Sequence, residues 1–256
     1  MSYNTILVET EDRVQTITFN RPHVLNAMST ELWGELKDAL NKARDDSEVK
    51  VLVITGAGKA FSAGTDVKEM VKIMPGSGAR VQQLMHDTIT VARYLPKPVI
   101  CAVRGYCIGA AVELMISCDM AVASETARFS MKELEVGIPN IIEAALLVAT
   151  IGNLRAKEFC YTADWWDAQK AERVGLINEV VADDQLETRV KEVATRMASK
   201  DALALAVQKD IINKWLTSDL ETAIDYSIVA MLQCQGSAGQ KEGMGAFLEK
   251  RKANFD

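Results

Sequence analysis

This sequence is poor in the residues that build covalent or metal-held frameworks. Its 256 residues include five cysteines and two histidines. The cysteines, at 101, 107, 118, 160 and 234, form no Cys-x-x-Cys pair. Most stand in apolar runs, so they read as reduced core thiols. His23 and His86 belong to no His-Glu-x-x-His or similar pattern, so no metal site is expected. Basic residues are outnumbered, 29 Lys and Arg against 35 Asp and Glu, for a net charge of −6. A nucleic-acid surface would want the opposite balance. No apolar run approaches the roughly 18 residues of a membrane span. Met1-Ser2-Tyr3-Asn4-Thr5 lacks the charged and apolar regions of a signal peptide, and the last residues, Ala253 to Asp256, are not a peroxisomal tripeptide. There is no Pro/Ser-rich linker and no low-complexity segment. The expectation is a soluble, cytoplasmic protein that binds neither nucleic acid nor membrane.

What is present is a chain 48% hydrophobic, long enough to bury a substantial core. Ile6–Glu9 and Arg13–Phe19 read as a hairpin. Residues 29–44 read as a helix, with Ser29 as N-cap and leucines at 32, 36 and 40. Val49–Ile54, Val99–Val103 and Met120–Ala123 read as buried strands. Residues 80–94 and 110–117 read as helices between them. Strands alternating with helices predict an α/β fold with strands covered on both faces. After Ile141 the pattern is helical, over 141–150, 154–161, 167–173, 185–198, 202–216, 219–233 and 239–250. One short strand, Leu176–Val181, interrupts it. No strict sequence repeat is visible.

Two glutamates carry the chemistry. Glu113 lies in the apolar run from Gly105 to Asp119, and Glu133 follows in Ser130-Met131-Lys132-Glu133-Leu134. Burying an unpaired carboxylate costs several kcal/mol, so one placed in an apolar run has a partner or a task. Two that converge on one pocket can divide acid and base work. A helix starting near Ala110 leaves its first N–H groups free. Glu113, three residues on, leans back over that turn. A backbone donor beside a carboxylate suits enolate chemistry. Two bland readings stand beside this one: Glu113 as a core residue salt-bridged to Arg104 or Arg128, and Glu133 as part of a solvated face.

Gly56-Ala57-Gly58-Lys59 fails as a dinucleotide fingerprint, because Phe61 stands at the sixth position, and as a P-loop, because one residue separates its glycines. Asp66 and Glu69 read as a capping box. Trp165-Trp166 reads as packing a helix start, with Asp167 as its cap.

The chain resembles the enoyl-CoA hydratase/isomerase (crotonase) superfamily over nearly its whole length. The resemblance is carried by Asn20-Arg21-Pro22, Leu25-Asn26-Ala27-Met28, Val51–Gly58, Lys59–Met70, Lys97-Pro98-Val99-Ile100, Gly105–Asp119 and the C-terminal run from Glu242 to Arg251. It implies a crotonase-like spiral of ββα units over residues 1–195 and a helical trimerisation region over 196–256, assembled as a trimer or a dimer of trimers. It implies an enoyl-CoA hydratase, a hydro-lyase acting on an acyl-CoA, with no cofactor because CoA is part of the substrate. Carried over by position, Glu113 and Glu133 are the catalytic pair, and the backbone N–H groups of Thr65 and Ala110 are the oxyanion hole. Ala60, Phe61, Ala63, Asp66 and Val67 fall in the CoA-lining segment. Phe247 and Lys250 match the helix that reaches a neighbouring subunit's CoA.

This sequence departs from the pattern at several places. Ala110 replaces the usual Gly, Thr65 a frequent Ala, and Lys132 a frequent Pro. Gly137-Ile138-Pro139-Asn140-Ile141-Ile142-Glu143 replaces a glycine-rich segment that helps hold the attacking water and shapes the acyl pocket, so Asn140 joins the substrate-binding set. The rival readings are Δ3,Δ2-enoyl-CoA isomerisation, hydration of a branched, cyclic or dienoyl-CoA, and a non-catalytic acyl-CoA-binding or RNA-binding homologue.

Overall fold

The computed structural model describes residues 3–72 and 78–255. Two short stretches of chain form the opening hairpin, β1 (Ile6–Glu11) and β2 (Val14–Phe19), paired antiparallel. They lead into α1 (Thr30–Asp45), whose N-cap Ser29 accepts from the Leu32 N–H. Leu32, Leu36, Ala39, Leu40 and Ala43 are all buried. That spacing of three and four residues puts one apolar stripe against the sheet and leaves the charged residues outside.

A three-element unit then recurs. A strand of a large sheet is followed by a short strand of a small sheet and then by helix. The first pass is β3 (Val51–Gly56), β4 (Ala60–Ser62), α2 (Val67–Met70) and α3 (Ala79–Tyr94). The second is β5 (Val99–Val103), β6 (Tyr106–Ile108) and α4 (Ala110–Ser117). The third is β7 (Met120–Ser124) and β8 (Arg128–Ser130), then 3-10 turns at Glu133–Val136 and Ile142–Ala145, α5 (Leu146–Ile151) and α6 (Asn153–Thr162). The chain continues through β9 (Trp166–Asp167), α7 (Ala168–Val174), β10 (Glu179–Val181) and α8 (Leu186–Ala198). The large sheet runs β1-β2-β3-β5-β7-β10, parallel from β2 onward; the small one runs β4-β6-β8-β9. This α/β spiral is a structural repeat without a sequence repeat.

The uninterrupted apolar strands are explained by burial on both faces. Leu52, Ile54, Val99, Cys101 and Ala121 point into the main core with α1, α3 and α4. Val51, Val53, Ile100 and Val122 point the other way and meet Leu186, Val190 and Val193 of α8. The last helices are α9 (Ala202–Trp215), α10 (Leu220–Met231) and α11 (Ala238–Leu248). α9 is clasped to the core by Lys209, which donates to the carbonyls of Ala92 and Lys97 and lies 2.7 Å from Asp119 Oδ2.

The expected elements of the first half are present, with ends shifted by a residue or two. The ββα units implied by the resemblance are present, but the residue pattern did not place the strands of the small sheet, since strands of two or three residues are too short to show a period. The expected strand Leu176–Val181 is confined to Glu179–Val181. Gly175 ends α7 in a left-handed conformation and the Leu176 N–H turns back to the Ala171 carbonyl, so the first residues close a helix. Asp66 does cap α2, accepting from the Lys68 N–H, but the box is not reciprocal. The Asp66 N–H goes to the Met28 carbonyl, and Glu69 accepts from the N–H and hydroxyl of Thr30. Trp166 is fully buried and Asp167 caps α7, as expected, whereas Trp165 is exposed and lies against the Tyr106 ring rather than packing the helix start.

Candidate active site

The small sheet assembles the site. Pairing of β6 with β8 sets Ile108 beside Ser130, and the Ser130 carbonyl accepts from the Gly109 N–H. α4 therefore starts where β8 ends, and Glu133, first residue of the following turn, arrives at that start. Gly109 has φ +54°, and a Cβ there would lie 2.2 Å from Glu133 Oε1. Only glycine tolerates both the conformation and the carboxylate packed against it. Pairing of β4 with β6 acts likewise on the other side: Gly64, φ +82°, lies so close that a Cβ would meet the Ile108 carbonyl at 2.6 Å. Thr65 is thereby held next to Ala110 and bridged to Met28. Among the described residues, the N–H groups of Thr65 and Ala110 donate to no other group.

Thr65, Ala110, Glu113 and Glu133 line one cleft of about 730 Å³. The rest of its wall is largely apolar, from Met70, Val81 and Met85 on one side to Ile138, Pro139, Ile141 and Ile142 on the other. Glu113 is 2% exposed. Burial and the neighbouring Glu133 charge push its pKa to about 8, against the pull of the Glu143 N–H, with a further push from the Glu143 carboxylate. Burial also raises Glu133, although the Asn140 amide, 2.5 Å from Oε2, partly offsets it. Both shifts favour the protonated form of a carboxyl in this cleft.

The salt-bridged reading of Glu113 does not hold. Arg104 is occupied by Asp183 and Glu187, and Arg128 donates to the Ala127 carbonyl. Glu113 accepts from the Glu143 N–H at 3.4 Å and makes no ion pair among the described residues. The solvated-face reading fits Glu135, which is exposed and paired with Lys132, but not Glu133.

With two buried or half-buried carboxyls and two free backbone donors in one cleft, kinship becomes informative. The chain matches the family model described as enoyl-CoA hydratase/isomerase over residues 9–256. It belongs to that family. It is 37% identical to a crotonyl-CoA hydratase of Syntrophomonas wolfei, covering 100% of this chain and 99% of that one. It is 35% identical to a short-chain-enoyl-CoA hydratase of Clostridium acetobutylicum, covering 98% and 97%. The crystal structure of an enoyl-CoA hydratase from Bacillus anthracis superposes with a TM-score of 0.95 at 30% identity, covering 99% of this chain and 100% of that one.

The residues expected to line the CoA site of this family are spread over different environments. Ala60 and the Phe61 ring are buried, the latter edge-on to Phe19 with centroids 5.5 Å apart, so neither side chain faces the cleft. Any part these two residues take in a CoA site would fall to their backbone, the Phe61 side chain being part of the core. The Ala63 N–H is bonded to the Leu25 carbonyl. Asp66 is buried and ion-paired with Arg21 at 3.0 Å, which ties the loop before α2 to the first turn of the chain. Val67 is exposed. Phe247 and Lys250 lie exposed at the end of α11, away from this cleft, and the expected helix to residue 250 stops at Leu248 because Lys250 turns left-handed. Asn140 donates to Glu133 Oε2.

The sequence reading missed Gly109 and Glu143. Glu143 carried the same signal as Glu113, a carboxylate in the apolar run Ile141 to Leu147. It is buried, 2.9 Å from His86 Nδ1 and 3.7 Å from Arg93 Nη1. The five cysteines are all free. Burial holds the Cys107 thiol well above its ordinary range, and Cys160 is raised to about 11. Neither is a nucleophile at neutral pH.

Proposed function

We propose that this protein is an enoyl-CoA hydratase, adding water across the C2=C3 bond of a 2-enoyl-CoA to give a 3-hydroxyacyl-CoA. The observation that carries this is the seat of the Glu133 carboxylate on Gly109, at the start of α4, in the same cleft as buried Glu113. The names of the two relatives agree with it.

In this reading the thioester oxygen sits between the N–H groups of Thr65 and Ala110. Those donors bind the enolate-like transition state better than the ground state. A water rests between the two carboxyls. Burial favours the resting proton on Glu113, and it crosses to Glu133 through that water. Glu113, now ionised, takes a proton from the water as its oxygen bonds to C3. Glu133 delivers its proton to C2. The pair ends singly protonated, as it began, so no net proton is consumed. The reaction draws on protein groups, one water and the CoA ester, and needs no metal, flavin or nicotinamide.

The apolar wall suits an aliphatic acyl group. Isomerisation of a 3-enoyl-CoA needs a single carboxylate to shuttle a proton, so two carboxyls favour hydration. Trp215, Ile228, Val229 and Phe247 on α9 to α11, with Leu216 and Leu232 just past the ends of α9 and α10, are exposed large apolar side chains. That supports self-association of residues 196–256, as the expected trimer or dimer of trimers. Among the described residues, no helix is long and apolar enough to cross a membrane.

The test is the loss of enoyl-thioester absorbance with crotonyl-CoA, run beside longer, branched and cyclic enoyl-CoAs. Turnover that falls by about 10²–10⁴ in Glu113→Gln and in Glu133→Gln supports the reading. Turnover that survives both substitutions overturns it.

A further inference from the structure

The segment Asn140–Glu143 touches both catalytic carboxyls, and it does so from a strained conformation. Ile142 has φ +60°. A β-branched side chain is rarely found there, and the conformation persists only when its surroundings impose it. The imposing group is next in sequence. The Glu143 carboxylate is 10% exposed, with His86 on one oxygen and Arg93 on the other, both from α3. On the far side of the strained residue, Asn140 is anchored on Glu133. Between these two fixed points the Glu143 N–H faces Glu113. The pairing with α3 fixes the side chain of Glu143, and its backbone follows.

We infer that Glu143 is a positioning residue for the proposed hydration: its carboxylate, gripped by His86 and Arg93, holds the left-handed turn at Ile142 and so keeps a backbone donor on Glu113. Glu143 reaches no substrate atom in this role. It acts through Glu113, by setting where that carboxyl points and when it ionises. The inference rests on the hydratase reading for its kinetic consequence but not for its geometry.

The groups that bear on Glu113 are Glu133 and Glu143 from the two turns, Cys160 of α6, and His86 and Arg93 behind Glu143. Their signs separate a positioning role from a merely electrostatic one. The Glu143 N–H lowers the pKa of Glu113 more than the Glu143 charge raises it. Removing the charge with the turn intact moves Glu113 down. Removing the charge and losing the turn moves it up.

The experiment uses Glu143→Gln in the full chain, with two readouts. The first is a carbon-13 NMR titration of glutamate carboxyls, the Glu113 signal being assigned by its absence in Glu113→Gln. It requires no turnover, so it stands even if no enoyl-CoA proves to be a substrate. An upward move of the Glu113 titration is expected; a downward move, or none, overturns the proposal. The second readout is kcat on whichever enoyl-CoA the wild type hydrates, expected to fall about 10- to 100-fold, the scale of a slightly misplaced catalytic group. Adding Ile142→Gly supplies a residue that adopts the left-handed turn unaided. That double variant is expected to regain most of the lost kcat, with KM free to rise because Ile142 lines the cleft. A kcat that never fell, or a loss that glycine leaves untouched, refutes the turn-holding role. Glu143→Asp, which keeps the charge, checks that the Gln variant's behaviour is not general misfolding: it retains more activity than Gln if the grip on α3 matters, and an Asp variant no better than Gln counts against the proposal.

Discussion

Replacing Glu113 with Gln should stabilise the protein, and more so as pH rises. The side chain is 2% exposed and its pKa is raised from an ordinary 4.5 to about 8. Below about pH 4.5 the carboxyl is protonated in folded and unfolded chains alike. Between the two values the unfolded chain ionises while the folded chain keeps its proton. The folded state then binds more protons, so stability falls as pH rises, and the loss is complete once pH passes about 8. Each unit of difference is worth ~1.4 kcal/mol. The cost of keeping Glu113 buried is therefore under about 1 kcal/mol at pH 5, about 3 at pH 7 and roughly 5 above pH 8. Gln has nearly the same shape and no charge to lose, so the variant escapes this slope and differs otherwise by a constant. The assay is urea unfolding of both proteins at pH 5, 6, 7 and 8. Subunit concentration is held fixed, because self-association would add its own stabilisation. The expected result is a gap that widens by about 2 kcal/mol from pH 5 to pH 7. Parallel curves would refute the reasoning: they would mean that Glu113 ionises at an ordinary pH, and that the resting pair does not share a proton.

Three further outcomes follow from neighbouring geometry. Gly109→Ala would drive a methyl to 2.2 Å from Glu133 Oε1 in a left-handed conformation; hydration should fall at least as far as in Glu133→Gln, while far-UV circular dichroism stays unchanged. Asn140→Ala removes the amide that favours ionised Glu133, so Glu133 titrates higher and the acidic limb of the kcat profile should move to higher pH; a limb that stays in place means the amide has no hold on the pair. Lys209→Ala removes a buried ammonium that bonds the Ala92 and Lys97 carbonyls and the solvent-accessible Asp119 carboxylate and should cost about 1–3 kcal/mol in unfolding free energy, read by denaturant titration; no measurable loss would show that α9 is not clasped to the core there.

Long periodic segments were legible because their physics is local. Ser29 and the leucines of α1 announce a capped amphipathic helix before any tertiary contact forms. Val99–Val103 announces a strand buried on both faces. The pairing of Glu113 with Glu133 was suggested by two carboxylates in apolar surroundings and made specific by resemblance. The small sheet was illegible because its strands are too short to carry a period, and it is the small sheet that brings Glu133 onto Gly109 and Thr65 beside Ala110. Glu143 had the right local signal, yet its partners on α3 lie 50 and 57 residues away (143 − 93 and 143 − 86).

The sequence by itself determined the alternation of strands and helices, the N-caps and the placing of acids in apolar runs. Those follow from hydrogen bonding and apolar spacing within a few residues. Only the tertiary structure decided that Phe61 belongs to the core, that Arg104 serves Asp183 and Glu187 rather than Glu113, and that a strained turn stands against both Glu113 and Glu133. An ion pair, a raised pKa and a left-handed isoleucine are each fixed by what packs from elsewhere in the chain, and that is settled when the sheets close.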